Sequence, residues 1–400
     1  LTKASWRAKF SRPFNFFTRR ARNAPLNPIE IKMNQPAAAA PLRDLAGEVL
    51  GLIDLKQMFT DIHIEQDRPV TIKTPRGWIE TSDEPVLFDE MRPLLDAIDE
   101  HWEAALARGT LDRPFVLTRC RLRCHVYRAG GGRKIVISMR RLPLTPLPLD
   151  ELGLPGYVRS MLDNTKGIIL VTGPTGSGKT TTIASLLEHV NATRNTHIVT
   201  IEEPIEYYLE RRQSIISQRE VPTDTPNFPL GLREALRQKP DVVMVGEVRD
   251  AETADTLLQA GESGHLVLAT MHTGSAVSAL NKLLSFFPSE QRDRHAVALA
   301  ESLIGIVCQG LVPSADGESL VLASELLFNN NNQVAKLIAD PAKLHLVNEF
   351  LRRREDNMSR ALNEDLAAHV ARGRITHKDA LRASYNRIEL NEMMQSIVSR

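Results

Sequence analysis

Cysteine is scarce in this chain: Cys120, Cys124 and Cys308 are all that 400 residues hold. No two of them form a C-x-x-C pair, so a disulfide framework does not fit, and reduced thiols of a cytosolic protein are the expectation. Long apolar runs are missing as well. Ile168–Val171 and Val242–Val245 have the length of strands, far short of the ~20 residues that a membrane-spanning helix needs. The start of the chain lacks the apolar core of a secretory signal. No internal repeat or low-complexity tract stands out, and Asn329–Asn332 reads as a loop.

Acidic residues are almost missing from the first 32 positions, where Glu30 faces eight Lys and Arg. That segment carries about +7 in a chain of net charge +1, which leaves the remainder near −6 and excludes a generally basic, nucleic-acid-binding body. The leader admits three functional readings: a nucleic-acid arm, a lipid-surface arm, or an Arg-rich transit peptide. The reading preferred here is a disordered extension, or an over-long translation ahead of Met33, the first methionine. Hydrophobic and charged fractions of 42% and 25% are ordinary for a globular protein, and the length suits two or three domains.

What the sequence does have is a glycine-rich run, Gly173-Pro-Thr-Gly-Ser-Gly-Lys-Thr180, that fits the phosphate-binding P-loop at every fixed position. Residues 167–172 before it read as a buried strand and 180–190 after it as a helix. This order aims backbone N–H groups and a helix N-terminus at a phosphate chain. The residues expected on the nucleotide are Gly173, Pro174, Thr175, Gly176, Ser177, Gly178, Lys179, Thr180 and Thr181. Lys179 is expected on the β- and γ-phosphates, and the Thr180 hydroxyl on Mg²⁺.

Around the P-loop the chain divides. Residues 1–41 form the leader and a linker, Pro36–Pro41; 42–143 a first domain; 144–148 a stiff Pro-rich connector; 149–328 an α/β nucleotide-binding domain; and 329–400 a helical C-terminal region in which Gly373 stops a helix. The first domain is expected to hold a helix over 42–53, two strands within 61–73, a helix over 91–108, and a hairpin of strands 115–128 and 134–140 turning at Gly130-Gly131-Gly132. At period two, Arg119, Arg121, Arg123 and His125 share one face of the first hairpin strand, opposite Cys120, Leu122, Cys124 and Val126. Strand pattern alone does not decide between a solvated basic face and arginines presented to phosphates.

Three later segments supply what hydrolysis needs. Strand 197–201 ends in Glu202, Glu203 and Glu206, acids at the carboxyl end of a parallel strand, where one can act as general base toward water. Apolar strand 241–245 delivers Glu247, in the manner of a Walker B acid supporting Mg²⁺. Strand 265–272 is bracketed by His265 and His272; His272 is the candidate for the γ-phosphate, whereas a zinc site from the pair is excluded by the ~23 Å that seven strand residues span.

The ordered set Gly173–Thr180, Thr200-Ile-Glu-Glu-Pro-Ile-Glu206, Gly246-Glu-Val-Arg-Asp250 and Gly264-His265 through His272-Thr273 resembles the secretion ATPase superfamily. Within it the chain is most similar to PilT-type pilus retraction motors, over about residues 48–400. The resemblance implies a RecA-like P-loop ATPase domain preceded by a smaller PAS-like α+β domain and followed by helices. It also implies a homo-hexamer with ATP and Mg²⁺ at the domain junction. It assigns Glu206 as catalytic base, Glu247 as the Walker B glutamate, His265 and His272 as the histidine box, and Arg121, Arg133 and Arg140 as the arginines reaching the nucleotide. The implied function is an ATP-hydrolysing motor of pilus dynamics or secretion at the cytoplasmic face of the bacterial inner membrane. It would be peripheral to the membrane, act on an inner-membrane platform protein, and make no direct contact with nucleic acid.

The alternatives are the related ATPase of a type IVB secretion or conjugation apparatus and, further off, a RecA-like nucleic-acid motor. Assembly motors of the superfamily carry a four-cysteine zinc element that three cysteines cannot supply. Lys239, Lys282 and the charge run 352–356 depart from the family pattern without touching the chemistry.

Overall fold

The computed structural model describes residues 43–55, 57–354 and 356–398; the basic leader and the Pro36–Pro41 linker lie outside them. Asp44–Arg400 makes one compact unit built on two sheets. The first has six strands: β1 (Asp61–Glu65), β2 (Thr71–Thr74), β3 (Gly77–Glu80), β4 (Leu111–Val116), β5 (Cys120–Ala129) and β6 (Lys134–Pro143), in the order β3-β2-β1-β6-β5-β4 with every pair antiparallel. Helices α1 (Leu45–Asp54), α2 (Phe88–Ile98) and α3 (Trp102–Arg108) share a core with its apolar face, where Leu45, Ile62, Leu94, Leu122 and Cys124 are buried. The alternation read from the sequence holds in β5 from Leu122 onward, with the cysteines inward, while Arg121 is buried as well.

Two expectations change here. The strand expected over 115–128 is broken, because the Leu117 N–H donates to the Cys120 carbonyl at 2.9 Å and turns the chain between β4 and β5. The helix expected over 91–108 is two helices. At the break the Asp99 carboxylate accepts the His101 N–H at 2.8 Å, a local bond that competes with continuing the helix.

The second sheet has seven strands: β7 (Gly167–Thr172), β8 (His197–Glu202), β9 (Ile215–Glu220), β10 (Val242–Val245), β11 (Leu266–Met271), β12 (Leu303–Pro313) and β13 (Leu320–Phe328), in the order β13-β12-β7-β11-β10-β8-β9. All its pairs are parallel except β12 with β13. β7, β10 and β11 are buried at every position, which is why they read as unbroken apolar runs. Separate apolar cores lie on the two faces, involving α4 (Lys179–Thr193), α5 (Phe228–Ala235), α6 (Ala251–Glu262), α7 (Ala276–Ser285) and α8 (Arg292–Ser302). Beyond β13 the described residues are mainly helical: α9 (Asn332–Ile338), α10 (Val347–Arg353), α11 (Leu362–Ala371), α12 (His377–Ala383) and α13 (Arg387–Val398). α11 stops just before Gly373, whose φ of 66° is left-handed and ends the helix there, as the sequence suggested. Among the described residues no helix is long and apolar enough to cross a membrane.

Candidate nucleotide site

Because β7, β8, β10 and β11 are parallel neighbours, the segments that follow them emerge along one edge of the sheet. There Thr175, Gly176, Lys179 and Thr180 meet Glu202, Glu203, Glu206, Glu247 and His272 in a cleft of about 340 Å³. Arg123 and Arg140 of the antiparallel sheet line the same cleft. The P-loop enters α4 through Gly178, whose left-handed φ of 84° suits only glycine well. The first-turn N–H groups of α4 have no acceptor within the helix, and the helix dipole adds partial positive charge at the same end.

Lys179 is buried at the start of α4 and donates to the carbonyls of Gly173 (2.9 Å) and Pro174 (3.0 Å). It also lies 3.3 Å from Nδ1 of His272. An ammonium can only donate, so Nδ1 accepts and the proton of a neutral ring sits on Nε2, 3.3 Å from Glu247 Oε1. His272 therefore links the lysine to the β10 acid. Burial lowers the pKa of Lys179, and the nearby Glu247 and Glu206 carboxylates oppose that shift. Glu247 also takes a 2.6 Å ion pair from Arg249, which reaches Glu203 at 3.2 Å. The Glu247 partner raises the pKa of Arg249.

The acids after β8 have different surroundings. Glu202 is buried, and its Oε1 accepts from Thr200 Oγ1 (2.7 Å) and Gln218 Nε2 (3.1 Å), while burial raises its pKa. Glu206 is half-buried in the cleft near Lys179. Thr181 points elsewhere, its hydroxyl 2.9 Å from that of Tyr207.

The arginines divide by register. Arg123 on β5 lies directly opposite Arg140 on β6, and Arg140 lies opposite Asp61 on β1, which accepts from its Nε at 3.1 Å. Arg121 is buried. It donates to the carbonyls of Ile205 (2.8 Å) and Glu206, with its guanidinium 5.0 Å from the Tyr208 ring centroid. It thus holds the acidic segment by its backbone instead of lining the cleft. Arg133 sits in the β5–β6 turn and donates to the Gly130 carbonyl, outside the cleft. His265 is also outside it. It precedes β11 at the end opposite His272 and contacts Ser263 Oγ (3.1 Å) and the Ala260 carbonyl (3.2 Å). Of the three arginines expected on the nucleotide only Arg140 lines the cleft, and Arg123 lines it beside Arg140; Arg123 was visible on the charged face of β5, and only the pairing with β6 singles it out.

Residues 127–384, from β5 into the connection after α12, match the family described as Type II/IV secretion system protein. The chain belongs to that family. This secretion ATPase is 40% identical over 208 residues to the type IV pilus retraction ATPase PilT of Pseudomonas aeruginosa, which is 52% of this chain and 60% of that protein. The crystal structure of the pilus retraction motor PilT with bound ADP superposes with a TM-score of 0.74 at 35% identity, covering 88% of this chain and 99% of that one. The ATPase DotB of Legionella pneumophila matches with a TM-score of 0.73 at 29% identity, over 80% and 90% of the two chains. The fold is the one the resemblance implied: a RecA-like P-loop ATPase domain behind a smaller PAS-like α+β domain, with a helical C-terminal region.

Proposed function

We propose that this secretion ATPase is a Mg²⁺-dependent motor that hydrolyses ATP in the cleft between its two sheets. The observation that carries the reading is the convergence in one cleft of the P-loop, Glu206, Glu247 and His272 from one sheet with Arg123 and Arg140 from the other. The P-loop amides and Lys179 hold the phosphates, and Lys179 exchanges the Gly173 and Pro174 carbonyls for phosphate oxygens. Water attacks the γ-phosphorus, the bond to the β–γ bridging oxygen breaks, and Glu206 takes the proton of the water. Arg123 and Arg140 neutralise phosphate charge that is already present on bound ATP and that passes to the leaving ADP.

Thr180 and Glu247 present oxygen donors to the cleft, the set that Mg²⁺ prefers when waters and phosphates complete its shell. Bound there, the ion would supply charge neutralisation at the phosphates. Residues 42–143 and 149–328 are the two domains in this proposal, and their closure on the nucleotide converts hydrolysis into movement. The assembly is a homo-hexamer on the cytoplasmic face of the inner membrane, working on a platform protein of a pilus retraction system. The comparable likeness to DotB supports the secretion ATPase of a type IVB apparatus as the second reading.

Measuring ATP turnover and nucleotide binding in Lys179→Ala and Glu247→Gln tests the site. Lys179→Ala is expected to lose both, and Glu247→Gln to bind ATP while hydrolysing it at least ~10²-fold more slowly. Full turnover in either variant would overturn the reading.

A further inference from the structure

The P-loop is held from outside by one residue that belongs to no phosphate-binding motif. β12 runs beside β7, and their register ends at Cys308 opposite Thr172, so Gln309 stands level with Gly173 where the loop begins. Its backbone carbonyl lies 2.3 Å from where a Cβ on Gly173 would be, so the two main chains touch and no side chain fits between them. Its side chain reaches the far end of the same loop, with Nε2 donating to the Ser177 carbonyl at 2.7 Å. Gln309 is 1% exposed, and its amide oxygen, buried, has no donor. A residue whose desolvated polar group is left half satisfied stays there at a cost unless its other bond matters.

The peptide geometry says what that bond does. Across a planar trans peptide the carbonyl and the following N–H point in opposite directions. Fixing the Ser177 carbonyl onto Gln309 therefore turns the Gly178 N–H away from β12. Gly178 is the left-handed residue at the mouth of α4, where a free rotor would otherwise leave that N–H undirected. We propose that Gln309 is a positioning residue for nucleotide binding, which sets the orientation of the Ser177–Gly178 peptide so that its N–H is presented to the phosphates. The proposal rests on the assignment of this loop to ATP.

Steady-state ATPase kinetics on the full chain test it, with Lys179→Ala run alongside. Gln309→Met keeps the shape and removes the donor; KM for ATP is expected to rise about tenfold, the worth of one such bond, with kcat within about threefold and the melting temperature without nucleotide lowered only slightly, because the orphaned amide oxygen goes with the donor. Gln309→Glu adds a pH readout. Protonated, the carboxyl can still donate to Ser177; ionised, it repels that carbonyl, so the ratio of its KM to that of the wild type is expected to climb with pH. An unchanged KM in Gln309→Met, or a flat ratio in Gln309→Glu, overturns the role of Gln309. If Lys179→Ala is inactive in the same series, that failure belongs to Gln309 alone; if it stays active, the assignment of the loop to ATP falls with it.

Discussion

Arg121 donates from Nη2 to the Ile205 carbonyl at 2.8 Å, joining a strand of the antiparallel sheet to the acidic segment that follows β8. Arg121 is 7% exposed, and its guanidinium also binds the carbonyl of Glu206, the residue next in sequence and the proposed base. Arg121 is thus a strut between the sheets. Its position fixes where the Glu206 backbone lies relative to Arg123, two residues along the same strand face.

Removing that strut is expected to cost both stability and rate. Arg121→Leu leaves two main-chain carbonyls without their charged donor, a loss of about 2–3 kcal/mol. Displacing Glu206 by about an ångström lowers kcat by roughly 10²-fold. Arg121→Lys keeps the charge but not the fork, so it is expected to recover stability in part and turnover hardly at all. Thermal unfolding and single-turnover hydrolysis read the two effects separately. Wild-type kcat in Arg121→Leu would show that Glu206 is placed by other contacts.

The register of β5, β6 and β1 yields a test of which arginines matter. Arg123→Gln and Arg140→Gln, each lining the cleft, are expected to raise KM for ATP by about tenfold apiece, on the scale of a charge-assisted bond. Arg133→Gln, whose side chain closes its own turn onto Gly130, is expected to leave KM within about twofold. The three KM values at one ionic strength decide the matter. A large effect from Arg133 with none from Arg123 would place the functional arginine in the turn.

Much of this site was legible in the sequence because the strands that carry it are buried on both faces. An unbroken apolar run such as Val242–Val245 announces a parallel strand, and its carboxyl end announces where Glu247 must stand. The P-loop and His272 stand at the ends of such strands and line the same cleft, whereas the choice of Glu206 among three acids came from the resemblance. Arg123 was not separated from Arg121, since the sequence shows a face but not which neighbour each residue meets across β6. Gln309 had no local signal. Its significance comes from a contact 132 positions away in the chain. The break between β4 and β5 was missed because Leu117–Arg119 contains neither glycine nor proline, and one backbone bond makes the turn.

Glu202 gives a pH signature of folding. Burial raises its pKa above the ordinary 4.5, although Thr200 and Gln218 hold its Oε1. The native state therefore keeps a proton that the unfolded chain releases. Its contribution is intact below pH 4.5 and is lost as pH climbs through the raised native pKa, by about 1.4 kcal/mol for each unit between the two values. Glu202→Gln retains an oxygen for both donors and cannot ionise. Its urea midpoint is expected to match the wild type near pH 4.5 and to exceed it at pH 8; coincident midpoints across that range would show that Glu202 is not buried at this cost.

The two histidines bracketing β11 separate chemistry from folding. His272 bridges Lys179 and Glu247 inside the cleft, so His272→Ala leaves the lysine without one acceptor and the glutamate without one donor. Turnover is expected to fall by at least ~10-fold, while the melting temperature changes little, because the ring is half exposed. His265 stands at the other end of the strand, where it packs against the last turn of α6 through the Ala260 carbonyl and Ser263. His265→Ala therefore removes a bond at a helix terminus, worth about 1 kcal/mol of stability, and is expected to leave the dissociation constant for ADP within about threefold. Calorimetric titration of ADP into both variants, paired with thermal unfolding, distinguishes the roles. A large loss of ADP affinity in His265→Ala, with its melting temperature intact, would bring His265 into the nucleotide chemistry despite its distance from the cleft.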